Sequence, residues 1–131
     1  MKLRSLLGLS LVPLALAACN QEGPENAKPV APAAKVVGAP ENCVQIPAFN
    51  QTIVRDDRTI DFIRSGSRAW RNTLPNRCPG LKNGDGFTYE TSLTQLCSTD
   101  IIYVLHRMGG SLQRGAGCGL GKFVPVELER R

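Results

Sequence analysis

Five cysteines, at positions 19, 43, 78, 97 and 118, constrain this 131-residue chain more than any other feature. What they do depends on where the chain goes, and the N-terminus speaks to that. Lys2 and Arg4 open a short positive region, Leu6 to Leu16 form an apolar run, and Ala17 and Ala18 follow, the pattern of a secretory signal. The run is shorter than the roughly 20 residues a spanning helix needs, and Pro13 interrupts it, so it is not expected to remain as a membrane helix. Cysteines exported to an oxidising compartment pair, and a small domain that cannot build a large core depends on such bonds.

Cys19 stands apart from the other four. The segment Leu16-Ala17-Ala18-Cys19 resembles the bacterial lipobox, in which the Cys thiol takes a lipid and becomes the first residue of the mature chain. Two or more acyl chains make such an anchor stable. The following residue is Asn20, which differs from the Asp that resembles an inner-membrane retention signal, so the expected address is the outer membrane, facing the periplasm. Residues 20–41 hold four Pro, five Ala and no aromatic residue, a composition that buries no core. Extended at about 3.1 Å per residue, they read as a spacer reaching roughly 70 Å. The organisation expected is therefore a signal over 1–18, a lipidated Cys and tether over 19–41, and a domain over 42–131.

Cys43, Cys78, Cys97 and Cys118 then form two disulfides. Three pairings are possible; the one favoured joins Cys43 to Cys118 across the ends of the domain and Cys78 to Cys97 within its middle. Zinc is not expected, because there is no C-x-x-C and His106 is the one histidine. No haem attachment motif is present, and no cofactor is expected.

Within the domain, strand-like runs alternate with Gly, Pro, Asn and Asp. They cover Cys43–Ile46, Gln51–Arg55, Thr59–Arg64, Arg68–Leu74, Gly86–Glu90, Ile101–Arg107 and Lys122–Leu128, with one helical turn around Ser92–Leu96. This pattern predicts an all-β fold, a small disulfide-bonded barrel or sandwich of about six to seven short antiparallel strands. A three-residue loop at Ser65–Ser67 sets Phe62 opposite Trp70, Asp61 opposite Arg71 and Arg64 opposite Arg68. Ile60, Phe62, Trp70, Leu74 and Val54 then face the core. Ile101 to Leu105 reads as a central strand, and Pro125 places the last strand at an edge or closure.

Catalytic chemistry is weakly represented. His106 reads as a solvent-facing or capping residue, Asp56-Asp57 as a turn, and Lys82 to Gly86 as a loop that fails the calcium-ligand spacing. The glycines from Gly115 to Gly121 read as flexible chain around a cystine. The chain is expected not to be an enzyme, and no catalytic or metal residue is assigned. The arginines are more suggestive: the domain holds ten Arg and two Lys, and Arg55, Arg64, Arg68, Arg71 and Arg77 fall close together. They are a candidate patch for an anionic ligand or an acidic envelope protein, against the alternative of a solvated mixed-charge surface. Loss of Lys2 and Arg4 with the signal lowers the net charge of +5, and nucleic acid is not an expected partner.

Read together, Asp57 to Phe62, Trp70 to Leu74 with Cys78-Pro79-Gly80-Leu81, Leu96 to Ile102 and Cys118 to Pro125 resemble an uncharacterised family of small secreted proteobacterial proteins, a domain of unknown function. The resemblance implies one exported domain and carries over no catalytic residue. The functional expectation is a non-enzymatic envelope lipoprotein that binds a partner. The alternatives are an inhibitor of a cell-wall-degrading enzyme, acting through a loop at Ser65–Ser67 or Met108–Gly117, and, third, a small periplasmic enzyme.

Overall fold

The computed structural model describes residues 31–129, so the expected signal over 1–18, the expected lipidation at Cys19 and the first half of the expected tether lie outside the described residues. Ten strands follow in order: β1 (Ala34–Val36), β2 (Cys43–Gln45), β3 (Gln51–Val54), β4 (Thr59–Ser65), β5 (Arg68–Thr73), β6 (Phe87–Tyr89), β7 (Gln95–Cys97), β8 (Ile101–Met108), β9 (Ser111–Gly119) and β10 (Phe123–Leu128). They form an antiparallel five-stranded sheet in the order β1-β10-β5-β4-β3, a three-stranded sheet β6-β8-β9 and a two-stranded ladder β2-β7. The sheets are open, and the architecture is a small all-β sandwich.

The core lies between the sheets because alternate residues of each strand point the same way. Ile60 and Phe62 from β4, Trp70 from β5 and Phe123 from β10 meet Ile102 and Val104 from β8 and Val44 and Leu96 from the small ladder. Phe62 sits at the centre, edge-on to Phe49, Phe87 and Phe123 at 5.1, 6.4 and 5.3 Å between ring centres. The other face of the large sheet carries a second apolar cluster of Ile63, Ala69 and Val126. Beside it the buried Asp61 carboxylate accepts from Arg55 and Arg71 at 2.8 Å each.

The register of β4 and β5 is the expected one at Phe62–Trp70 and Asp61–Arg71. It differs at the tip: a bulge sets Ser65, not Arg64, opposite Arg68, and the turn is Gly66-Ser67, with Gly66 at φ +57°. Arg64 is thereby turned away from Arg68 and lies over the Trp70 indole, 4.4 Å from its centre.

Other expectations are corrected. The disulfides join Cys43 to Cys97 and Cys78 to Cys118. The first is a cross-strand pair of the β2-β7 ladder, and the second ties the loop after β5 to β9. The domain begins before residue 42: β1 pairs with β10, Glu41 bridges Phe123, and the Glu41 carboxylate accepts from the Trp70 indole N–H at 3.0 Å. The expected helical turn around Ser92–Leu96 does not form: residues 92–94 bend and strand β7 starts at Gln95.

The last strand, β10, is interior and not an edge. Its Pro125 is tolerated because the position's missing N–H points towards β1, whose pairing ends one residue away at Val36–Val126; the Pro125 carbonyl still accepts from Val37 N–H at 2.9 Å. Ile101 to Leu105 does fall in a central strand, β8, although Ile101 itself is exposed.

The glycine-rich segment is not loose chain but strand β9 and the link that follows it. A side chain at Gly117 would meet the Tyr103 ring at 3.1 Å, and one at Gly115 the His106 ring at 2.8 Å. At Gly121 it would strike the Thr73 carbonyl, and the buried Asn72 amide exchanges two hydrogen bonds with Gly121, of 2.7 and 2.8 Å. At Gly121 the obstacle is backbone, so only glycine fits, whereas at Gly115 and Gly117 a side chain would have to displace a ring.

Candidate functional site

The five arginines do not converge into one unpaired patch. Arg55 and Arg71 are consumed by Asp61, and Arg71 also donates to the Pro32 carbonyl at 3.0 Å, pinning the chain ahead of β1. Arg77 is held by Asp57 at 2.8 Å. Arg64 covers Trp70, and Arg68 stands at the hairpin tip, in register with Glu127. The separation follows from strand alternation: residues 64 and 71 lie on opposite faces of the large sheet, and Arg77 lies beyond β5.

His106, expected to face solvent or to act as a cap, does not stand free of the fold. It is partly buried, with its ring between Gly80 and Gly115. Among the described residues no group of three or more His, Cys, Asp or Glu side chains is placed to hold a metal ion.

Two concave surfaces among the described residues bear on function. One is a polar shelf lined by Asp56, Asp57, Arg58, Thr59, Thr73 and Arg77. Its charges are already partnered: Asp57 accepts from Arg77 and from the Lys82 N–H at 2.9 Å, and Arg58 donates to the carbonyls of Leu74 and Pro75. The Lys82 N–H bond, followed by Arg77, holds the Asp57 carboxyl below its ordinary range. This shelf is a structural clamp on the Cys78 loop, since the Cys78 N–H also bonds the Asp57 carbonyl at 2.7 Å.

The second is a groove of about 270 Å³ on the open side of the sandwich, where the edge strands β3 and β6 face one another. Phe49, Phe87, Tyr89 and Ile46 give it aromatic and aliphatic walls, while Asn50, Gln51 and Thr52 supply amides and a hydroxyl. Past Ile46 and Tyr89 it continues into a shallower depression formed by Glu90, Thr91, Ser92 and Leu93. Leu93 is among the most exposed large apolar side chains of the described residues. The sole charged lining residue, Glu90, is bound by Arg114, which lowers its pKa by hydrogen bonding and then by charge.

The groove therefore offers apolar area and neutral hydrogen-bonding groups. Its Phe49, Phe87 and Tyr89 were not singled out by sequence reasoning, because the meeting of two sheet edges leaves no local signal. No family model, curated protein or solved structure matches the chain.

Proposed function

We propose that this chain is a lipid-anchored envelope protein, held in the outer membrane through Cys19 and facing the periplasm, that acts as a non-catalytic binding module. The groove between β3 and β6 supports this reading best: concave and aromatic, it ends in a paired charge and offers no nucleophile beside a base. A ligand suited to it presents an apolar face and neutral polar groups, not the anion suggested by the arginines.

The test is site-specific photo-crosslinking in intact cells. A probe at Ser92, on the groove rim, should give a discrete adduct that Tyr89→Ala abolishes, while a probe at Arg68 should not. Equal adducts from both positions would refute the groove. Mass spectrometry of the mature N-terminus tests the anchor, and an unmodified Cys19 would overturn the localisation.

Inhibition of a cell-wall-degrading enzyme is a second reading, favoured by one observation. The β8-β9 hairpin ends in a narrow Gly109-Gly110 turn, with both φ angles positive, that presents Met108 to solvent. Loss of muramidase activity at stoichiometric amounts, relieved by Met108→Asp, is its signature.

A further inference from the structure

Sheet edges present unpaired backbone groups, and this fold blunts most of its own. The edge strands β1, β2, β6 and β7 are three residues long, and β3 is four, with the Lys82 ammonium on its Val54 carbonyl. Short edges and lysines suppress pairing with other chains. Strand β9 has neither protection: nine residues long, it carries no Pro, Lys or acid, and Ser111 to Gly115 are all exposed.

The hydrogen-bond phase of β9 identifies its outward-facing groups. The two-residue turn closes on Met108–Ser111, so Ser111 and Gln113 bond towards β8 while Leu112 and Arg114 point away. At the other end Leu120 N–H bonds Asp100, so Cys118 points inward and Gly117 and Gly119 outward. A bulge, two residues of β9 against Val104, joins the two stretches. Among the described residues, the backbone groups of Leu112, Arg114, Gly117 and Gly119 bond nothing.

These four positions are symmetric about the bulge. We propose that β9 pairs antiparallel with β9 of a second copy of this chain, with the two-fold axis at Gly115-Ala116. Leu112 then lies opposite the partner's Gly119 and Arg114 opposite the partner's Gly117. Every outward-bonding residue meets another, giving about eight backbone hydrogen bonds in four pairs.

The side chains match as well. Arg114 and Leu112 share the outer face with Gly117 and Gly119, because Arg114 lies over the Tyr103 ring and Gly117 and Gly119 lie beside Tyr103 and Ile101. Each bulky residue thus meets a glycine, and each covers Tyr103 or the exposed Ile101 of the partner. No arginine opposes an arginine. A foreign strand has no reason to alternate bulk and glycine in this order, whereas a second copy supplies it by symmetry.

Sedimentation of the full-length processed protein in mild detergent tests the proposal. Expected is a concentration-dependent monomer–dimer equilibrium, with slower amide exchange at Leu112, Arg114, Gly117 and Gly119 as concentration rises. Leu112→Pro removes an outward N–H and no ladder bond, and Gly119→Lys enters open space, with Ile101 no nearer than 4.0 Å. Each should weaken the dimer by about tenfold or more, a change of about 1.4 kcal/mol, while leaving the thermal midpoint of the dilute, monomeric protein unchanged. A chain that stays monomeric throughout, or a dimer indifferent to both variants, would overturn the pairing.

Discussion

Asp61 shows how a single residue commits the large sheet to one arrangement. Its carboxylate is fully buried and takes three hydrogen bonds, one from Arg55 and two from Arg71. Removing one partner of a buried ion pair leaves the rest uncompensated, so Asp61→Ala should cost about 3–5 kcal/mol by urea unfolding. A loss under about 1 kcal/mol would mean that water replaces the carboxylate. Asp57 acts at the surface, and its effect is read by pH. Its folded pKa is lowered first by the Lys82 N–H and then by Arg77, so the stability it contributes is complete above the ordinary carboxyl range and vanishes as pH falls through the depressed value. Asp57→Asn should therefore lower stability at neutral pH and flatten the decline on acidification. An unchanged acid limb would show that another carboxyl controls it.

Elements differ in how plainly the amino acids announce them. The β4-β5 register was legible because Asp61, Phe62, Trp70 and Arg71 each have one sensible face, and a shift by one residue would separate Asp61 from Arg71 and set Phe62 against Ala69, mixing the two faces. Strand β9 was not, since glycine is a poor strand former and the reason for its glycines is the Tyr103 and His106 rings across the ladder. Strand β1 hides in a Pro/Ala-rich stretch for a similar reason: its three residues gain strand structure only from β10. A chain starting at Asn42, the boundary suggested by composition, should thus be less stable than one starting at Ala31. It loses the β1 ladder and the bond from Trp70 to Glu41, together on the order of 2–3 kcal/mol. Equal melting curves for the two would relegate β1 to an ornament of the tether.

At the scale of the whole molecule, the cysteine pairing determines what unfolds together. Composition and spacing pointed to two bonds but not to their partners, because pairing depends on which strands become neighbours, and neither β7 nor β9 was visible locally. The two observed bonds close segments of 54 and 40 residues, each worth about 4 kcal/mol by loop closure, against a total of about 5–15 for a domain. They serve different parts of the fold. Cys43–Cys97 staples a ladder of three residues per strand that is too small to persist alone, whereas Cys78–Cys118 connects the loop beyond the large sheet to the three-stranded one. Replacing Cys43 and Cys97 by Ala should expose the β2 and β7 amides to exchange first, loosening the groove wall at Ile46 while the two larger sheets still melt as one unit. Replacing Cys78 and Cys118 should instead lower the global unfolding free energy, by about 4 kcal/mol, with all sheets losing protection together. Hydrogen exchange distinguishes the two, and identical exchange patterns from both variants would show that the small ladder and the larger sheets form one cooperative unit.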